Sequence, residues 1–137
     1  MNSSLFYSLL KKKFPFEPTY KQDIFFQKIA IFLTEMENKT IFVLKGYAGT
    51  GKTTLAKLIV NNLDCDYIYI NSSDENGIDT IRETVKQFAS AATFQPIKIV
   101  ILDEADFLTI NAQAALRNII ESFSNNTRFI FTCNFVE

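Results

Sequence analysis

The stretch "GYAGTGKTT" places three glycines in front of a lysine and two threonines, in a chain that has only four glycines altogether. Its spacing satisfies G-x-x-x-x-G-K-[ST], in which the glycines let the backbone turn until successive N–H groups point at phosphate oxygens. The Lys52 ammonium would neutralise the β- and γ-phosphates of a nucleotide, and the Thr53 hydroxyl would ligate Mg²⁺. We therefore predict a phosphate-binding loop. Its residues are Gly46, Tyr47, Ala48, Gly49, Thr50, Gly51, Lys52, Thr53 and Thr54.

Three further polar residues end two apolar runs later in the chain. Asp103 and Glu104 follow "IVIL", and Asn134 ends "RFIFTCN". If both runs are parallel strands, these residues lie at the carboxyl edge of a sheet, where open α/β sheets bind their ligands. Asp103 would hold the water shell of the metal, and Glu104 would polarise an attacking water that Asn134 helps to orient. The alternatives are a helix cap for either acid and an ordinary turn residue for Asn134.

Alternating apolar runs and amphipathic segments supply the elements that must position these motifs. Four runs predict strands, namely "TIFVL", "DYIYIN", "IKIVIL" and "RFIFTC", and the segments between them predict helices over residues 52–62, 78–92 and 111–123. This alternation predicts an α/β fold of the P-loop NTPase kind, a three-layer sandwich around a mostly parallel four-stranded sheet. Helices are also expected before the sheet, over residues 4–11 and after Thr19, where Gln22 completes a capping box.

Composition limits the classes of protein to which the chain can belong. Its 137 residues, 47% hydrophobic and 21% charged, predict one domain, with a helical segment over 1–38 and the nucleotide-binding core over 39–137. A net charge of −1 excludes a general basic field for nucleic acid, and the lack of histidine excludes imidazole chemistry. Two cysteines without C-x-x-C spacing are expected to be reduced thiols. The apolar start "LFYSLL" is too short to cross a bilayer, so we expect a soluble cytoplasmic protein without a membrane partner.

The stretches "NSSDENGIDTIRETVKQFA" and "IVILDEADFLTINAQAALRNIIESFSNNTRFIFTCN" resemble the small subunit of sliding-clamp loaders of the replication factor C type, which are AAA+ ATPases. The resemblance covers residues 46–137, roughly two thirds of the chain. It implies that residues 46–54 are the Walker A loop, Asp103 and Glu104 the Walker B pair, and Asn134 sensor 1. It also implies ATP and Mg²⁺ as cofactors, and primer-template DNA, a sliding clamp and other loader subunits as partners. The implied function is ATP-driven clamp loading in DNA replication.

The same resemblance implies a DNA-contacting surface on the inside of a spiral of subunits. The candidates are Arg82 and Lys86, which stand one turn apart on the second predicted helix, on a face distinct from Ile81 and Val85. They would meet phosphates without reading the base sequence. Alternatively, the two cations belong to a solvated helix face, where Glu83 pairs with them.

The first third of the chain, "FPFEPTYKQDIFFQKIAIFL", resembles the opening of RecD-like DNA helicases, in which a glutamine upstream of the phosphate loop recognises adenine. Gln22 is the matching position, although its capping-box role with Thr19 is an equal alternative. The glycine-containing motif for single-stranded DNA that follows in such helicases is not found. Three functions therefore remain to be compared: a clamp-loader-like ATPase, a fragment of a RecD-like helicase, and a nucleotide-binding chimera without turnover.

Clamp loaders carry further parts beyond the position that Asn134 occupies: an arginine that reaches a neighbour's ATP, a helical lid and a collar domain. The sequence ends before these parts, so we expect a core truncated after sensor 1 that has no lid and binds nucleotide with little or no turnover by itself. A fifth strand normally flanks the first strand of AAA+ sheets. We therefore also expect "TIFVL" to lie at an exposed edge, unless the N-terminal helices cover it.

Overall fold

The computed structural model describes residues 1–35, 39–46, 49, 51–74 and 77–134. Within them the chain forms, in order, α1 Ser3–Lys13, α2 Tyr20–Thr34, β1 Ile41–Gly46, α3 Lys52–Asn61, β2 Cys65–Asn71, α4 Ile78–Ser90, β3 Ile97–Asp103, a 3-10 turn Ala105–Phe107, α5 Ile110–Ser122 and β4 Thr127–Asn134. Every strand and helix predicted from the sequence is present, with ends that differ by no more than two residues. No helix formed by these residues is both long and apolar enough to cross a membrane.

The four strands form one sheet in the order β1-β4-β3-β2, and all three pairings are parallel. The register pairs Gly46 with Asn134 and Asn71 with Asp103. All four strands therefore end at the same edge of the sheet. The phosphate loop, the acidic pair and Asn134 are brought to that edge by strand direction alone, which confirms the predicted fold class.

Two apolar clusters, one on each face of the sheet, hold the helices in place. Ile99 and Ile101 of β3 pack into the cluster formed with α1, α2 and α3. Val100 and Leu102, which alternate with them, pack into the cluster formed with α4 and α5. Because successive residues of a strand point to opposite faces, the almost continuously apolar β3 is covered on both sides, as a central parallel strand must be. The fold is a three-layer sandwich.

Lys98 is the one residue of the run "IKIVIL" that departs from this apolar pattern, yet only 1% of its surface is exposed. Its ammonium donates hydrogen bonds to the carbonyl oxygens of Phe88 at 2.7 Å and Ala89 at 3.2 Å, and also to the carbonyl of Ala91. These carbonyls belong to the last turn of α4 and the residue that caps it. The lysine thus satisfies acceptors that a helix end leaves unpaired, and its charge complements the negative end of the helix dipole.

The N-terminal segment begins its second helix with the predicted capping box. The Thr19 N–H donates to Gln22 Oε1 at 2.9 Å, and the Gln22 N–H donates to Thr19 Oγ1 at 3.2 Å. Further along α2, the rings of Phe25 and Phe32 lie 5.8 and 5.4 Å from the ring of Phe42 on β1. The N-terminal helices therefore cover one face of β1.

Strand β1 lies at an edge of the sheet, as expected, because within the described ranges it pairs only with β4. Its outward residues Ile41 and Val43 are 42% and 47% exposed. The N-terminal helices pack on Phe42, whose side chain points to the opposite face, and leave Ile41 and Val43 exposed. Association through this edge stays a prediction.

The packing of α2 gives a direct test of the fold. Phe26 is fully buried, with its ring 5.4 Å from that of Phe14. We expect Phe26→Ala to lower the free energy of unfolding by about 3–5 kcal/mol, because the cavity it leaves cannot collapse completely. Urea denaturation followed by circular dichroism measures this change. The matched control is Phe94→Ala, since Phe94 is fully exposed; an equal loss in both variants would contradict the assigned core.

Candidate functional site

The phosphate loop leads directly into helix α3, which begins at Lys52. Gly49 and Gly51 have φ angles of +80° and +83°, a conformation that side chains with a β-carbon rarely adopt. Apart from the glycine and its chain neighbours, no atom of the described residues lies within 4 Å of where a β-carbon would stand at either position, so the backbone conformation, and not crowding, requires glycine there. The predicted contacts Tyr47, Ala48 and Thr50 lie outside the described residues.

The Lys52 side chain lies against the loop that precedes it. Its ammonium donates a hydrogen bond to the Gly46 carbonyl oxygen at 2.9 Å. Thr53, the next residue, is half-buried and points at the end of β3, whereas Thr54 is exposed on the first turn of α3. The loop thus presents a cation and a hydroxyl side by side at the amino end of a helix, where the helix dipole also favours an anion.

Asp103 is the centre of the hydrogen-bond network at this edge, and it is only 5% exposed. Its Oδ2 accepts hydrogen bonds from the Thr53 hydroxyl at 2.9 Å and from the Tyr69 hydroxyl. Its Oδ1 accepts from the Thr132 hydroxyl and from the Glu104 N–H, the latter at 3.1 Å. Donors from α3, β2 and β4 therefore meet on one carboxylate at the end of β3.

These contacts determine how the two acidic groups of the network ionise. Burial raises the pKa of the Asp103 carboxyl, but the hydrogen bonds from Thr132, Tyr69, Thr53 and the Glu104 N–H outweigh it, so the pKa lies below its ordinary value. Burial raises the pKa of the Tyr69 hydroxyl, and the hydrogen bond to the Asp103 carboxylate raises it further. Asp103 is therefore an anion at neutral pH, and Tyr69 a neutral donor.

Glu104 turns the chain sharply at the end of β3. It has a φ of 54° and a ψ of 45°, and it is the one residue other than glycine with a positive φ in the described ranges. Such a conformation costs about 1–3 kcal/mol and persists where surrounding contacts impose it. Here the Glu104 N–H donates both to Asp103 Oδ1 and to Thr132 Oγ1, the latter at 3.2 Å. The side chain predicted to polarise water therefore stands on a backbone that the network around Asp103 fixes.

A cavity of about 270 Å³ brings the three motifs together. Its lining consists of Gly49, Gly51, Lys52, Thr53, Asp103, Glu104, Thr132, Cys133 and Asn134. The loop residues, the acidic pair and Asn134, predicted from separate parts of the sequence, thus face one space. A larger cavity of about 710 Å³ lies between α5 and the outer face of β1, but it contains none of the loop residues and is lined mainly by apolar side chains such as Val43, Leu116 and Phe131. Volume alone does not identify the site.

The donor set of the small cavity fits magnesium. Thr53 and Asp103 offer oxygen atoms 2.9 Å apart, and oxygen ligands are what Mg²⁺ prefers. Within the described residues no group of three histidines, cysteines or acids could hold a metal by itself. At the usual Mg²⁺ site of nucleotide enzymes, one or two carboxylates act together with the phosphates of the substrate.

Two sets of predicted contacts do not line this cavity. Gln22 is engaged in the capping box with Thr19, so its role in recognising adenine stays a prediction. Arg82 lies on the exposed side of α4 and forms an ion pair with Asp79 at 2.9 Å. Its partner is thus Asp79 and not Glu83, so the alternative of a pairing with Glu83 is wrong for Arg82. Lys86 is also exposed, so both cations remain available to an outside surface.

Sequence reasoning missed Tyr69 and Thr132, which both donate to Asp103. Each lies near the carboxyl end of a strand that neighbours β3. A signal was present, because each is a polar hydroxyl in a largely apolar strand. It could be read only once the strand order was known.

The chain belongs to the AAA ATPase family. A model of the ATPase family associated with various cellular activities (AAA) matches residues 42–137, which is well over half of the chain. This match covers all of the sheet except its first residue, together with the phosphate loop and the acidic pair described above. It confirms the resemblance to AAA+ ATPases.

Curated relatives specify the branch of the family. The chain is 49% identical over 98 residues to replication factor C small subunit 1 of Pyrobaculum arsenaticum, an alignment that covers 66% of this chain and 30% of the relative. It is 42% identical over 122 residues to the replication factor C small subunit of Archaeoglobus fulgidus, covering 84% of this chain and 38% of the relative. The chain is thus an AAA ATPase domain similar to replication factor C small subunits, and it spans about a third of their length.

The second alignment bears on the N-terminal segment. Because 84% of the chain is more than residues 39–137 contain, the similarity to the Archaeoglobus protein extends into residues 1–38. The alternative of a RecD-like helicase fragment is therefore not favoured.

Solved structures agree on the fold. The Drosophila ORC bound to DNA has a chain that matches 97% of this one with a TM-score of 0.61 at 15% identity, and the match covers 41% of that chain. The Aeropyrum pernix ORC1 protein in complex with DNA matches 75% of this chain with a TM-score of 0.54 at 19% identity, over 35% of its own length. At such identities the likeness concerns the fold alone.

Cys133 provides a chemical probe of the cavity that it lines. Burial raises the pKa of its thiol, and burial also raises the pKa of Cys65, at the far end of the sheet, to about 11. Since the thiolate is the reactive form, we expect slow alkylation of both by iodoacetamide at pH 8 and faster alkylation as the pH rises. Mass spectrometry of the two peptides measures the rates.

Added Mg²⁺ and ATP should slow the alkylation of Cys133 several-fold and leave that of Cys65 unchanged. Cys65 is the matched control, because it is a half-buried thiol outside the cavity. Equal protection of both cysteines, or of neither, would contradict a nucleotide in this cavity.

Proposed function

We propose that the chain binds ATP with Mg²⁺ and acts in DNA replication as part of a complex that loads a sliding clamp onto primed DNA. One observation carries the nucleotide part of this proposal: Thr53 at the start of α3 and Asp103 at the end of β3 are joined by a 2.9 Å hydrogen bond in the cavity that also contains Lys52 and Glu104. The fold thus brings two motifs 50 residues apart in the sequence into direct contact, with a cation and a second acid beside them.

Five side chains of the cavity have proposed roles. The Lys52 ammonium neutralises the β- and γ-phosphates, while the N–H groups of the loop and the first turn of α3 bind their oxygens. Thr53 and Asp103 would hold Mg²⁺, which when bound supplies charge neutralisation across those phosphates. The Glu104 carboxylate accepts a proton from the attacking water, and Asn134, paired with Gly46 across the sheet, orients that water.

The clamp-loading part rests on similarity to replication factor C small subunits at 42–49% identity. Those proteins are about three times as long as this chain, so a sliding clamp, primed DNA and further subunits are proposed partners. For DNA, Arg82 and Lys86 on the exposed side of α4 are the proposed contacts with phosphates.

Turnover is proposed to be slow for the chain alone. Among the described residues that line the cavity, Lys52 is the only cation. An arginine supplied by a neighbouring subunit is worth about 10³–10⁵ in rate at related phosphoryl-transfer sites. The site of one subunit would therefore be completed by the next.

The experiment that tests nucleotide binding uses Lys52→Ala. Removing a charged donor from the phosphates should weaken ATP binding by about 1.5–3 kcal/mol, or roughly 10- to 150-fold. Isothermal titration calorimetry with ATP and Mg²⁺ measures the affinity. Lys28→Ala, which removes an exposed lysine of α2, is the control and should bind like the wild type. Equal affinities of the wild type and Lys52→Ala would show that the nucleotide binds elsewhere.

A second experiment separates binding from hydrolysis. We expect Glu104→Gln to bind ATP within about threefold of the wild type but to lose hydrolysis, because a general base contributes about 10²–10⁴ in rate. Hydrolysis by the wild type should be slow alone and rise at least about 10³-fold with clamp, primed DNA and partner subunits. Glu121→Gln, on the exposed side of α5, should behave as the wild type in a phosphate-release assay. Fast, Lys52-dependent turnover by the isolated chain would contradict the shared site.

A further inference from the structure

Tyr69 is a side chain of the network for which the proposed mechanism has no use. Its hydroxyl donates to Asp103 Oδ2, the oxygen that also accepts from the Thr53 hydroxyl at 2.9 Å. On the side of α3, the Lys57 ammonium lies 5.0 Å from the centroid of its ring. The tyrosine is therefore held with its hydroxyl on the oxygen nearest to Thr53.

Asp103 does not need Tyr69 to keep its orientation. Its other oxygen, Oδ1, is already held by the Thr132 hydroxyl and by the Glu104 N–H at 3.1 Å. An ionised carboxylate has about four lone-pair positions, and four donors are present here. The Thr53 hydroxyl uses one lone pair of Oδ2, and the Tyr69 hydroxyl uses the other.

The lone pair of Oδ2 that Tyr69 uses could otherwise accept a hydrogen bond from a water ligand of Mg²⁺. The ion binds at such sites through few protein ligands and keeps several water ligands, which are strong hydrogen-bond donors. Asp103 Oδ2 is the carboxylate oxygen hydrogen-bonded to Thr53, the residue whose hydroxyl is proposed to ligate the metal. Those waters and the Tyr69 hydroxyl therefore depend on the same acceptor.

We propose that the Tyr69 hydroxyl opposes the binding of Mg²⁺ at this site, because it occupies the Asp103 oxygen on which the water ligands of the ion depend. The inference rests on the proposed nucleotide function. It makes the site respond to the concentration of free Mg²⁺, since the ion must displace or share the Tyr69 hydrogen bond. Removing the hydroxyl should let the ion bind at a lower concentration.

Tyr69→Phe removes the hydroxyl and keeps the ring that packs against α3. The matched control is Tyr67→Phe, because Tyr67 lies on the same face of β2, is 44% exposed and is not among the donors to Asp103. A fluorescent ATP analogue is titrated into each protein at a series of Mg²⁺ concentrations and again in EDTA. Tyr69→Phe should lower the Mg²⁺ concentration for half-maximal binding by roughly five- to tenfold, with unchanged affinity in EDTA. Tyr67→Phe should match the wild type in both.

The outcomes separate this inference from the function on which it rests. If the wild type binds the analogue and Tyr69→Phe needs the same or a higher Mg²⁺ concentration, the role of Tyr69 is overturned and nucleotide binding stands. If the wild type does not bind the analogue at any Mg²⁺ concentration, both are overturned. A change of affinity in EDTA would show that Tyr69 only supports the loop. Thermal unfolding checks each fold, and Tyr69→Leu, which also lacks the hydroxyl, must reproduce the shift.

Discussion

The buried carboxylate of Asp103 is the constraint on which the geometry of the site depends. Removing an anion from water is costly, and here hydrogen bonds from Thr53, Tyr69, Thr132 and the Glu104 N–H offset that cost. The donors come from α3, β2 and β4 as well as from the turn after β3, so these elements cannot shift independently without leaving a buried charge short of partners. The same bonds hold Glu104 in its left-handed conformation.

Much of the fold could be predicted because its signals are local. The spacing around Lys52 specifies a loop, and apolar runs such as that of β3 specify buried parallel strands. The proximity of Thr53 and Asp103 could also be predicted from the sequence, because parallel strands end at one edge of a sheet. Tyr69 and Thr132 could not be found in this way, because their contact with Asp103 depends on which strands flank β3 and in what register. The burial of Lys98 could not be predicted for a similar reason. The carbonyl oxygens that accept hydrogen bonds from its ammonium belong to the end of a different element, α4.

The packing of the N-terminal helices could not be predicted from local sequence signals. Thr19 and Gln22 predicted the start of α2 correctly, but nothing in that pattern says which face of the sheet the helix covers. Aromatic contacts determine which face is covered, since the rings of Phe25 and Phe32 pack against that of Phe42 on β1. The capping box also bears on the predicted role of Gln22 in recognising adenine. Its Oε1 already accepts from the Thr19 N–H, so a contact with adenine through that oxygen would compete with the bond that starts the helix.

The hydrogen bonds inside the cavity also bear on how a nucleotide is selected. Lys52 donates to the Gly46 carbonyl and Asp103 accepts from Tyr69, so the groups that would bind phosphate and metal already have partners within the chain. Binding is then an exchange of hydrogen bonds, in which the net gain is much smaller than the strength of any single bond. A ligand must accept a stronger hydrogen bond from Lys52 than the neutral Gly46 carbonyl does. The charged oxygens of a triphosphate are acceptors of this kind. A neutral ligand of the same shape would lack such acceptors, so we expect charge, more than shape, to determine which ligands bind at this site.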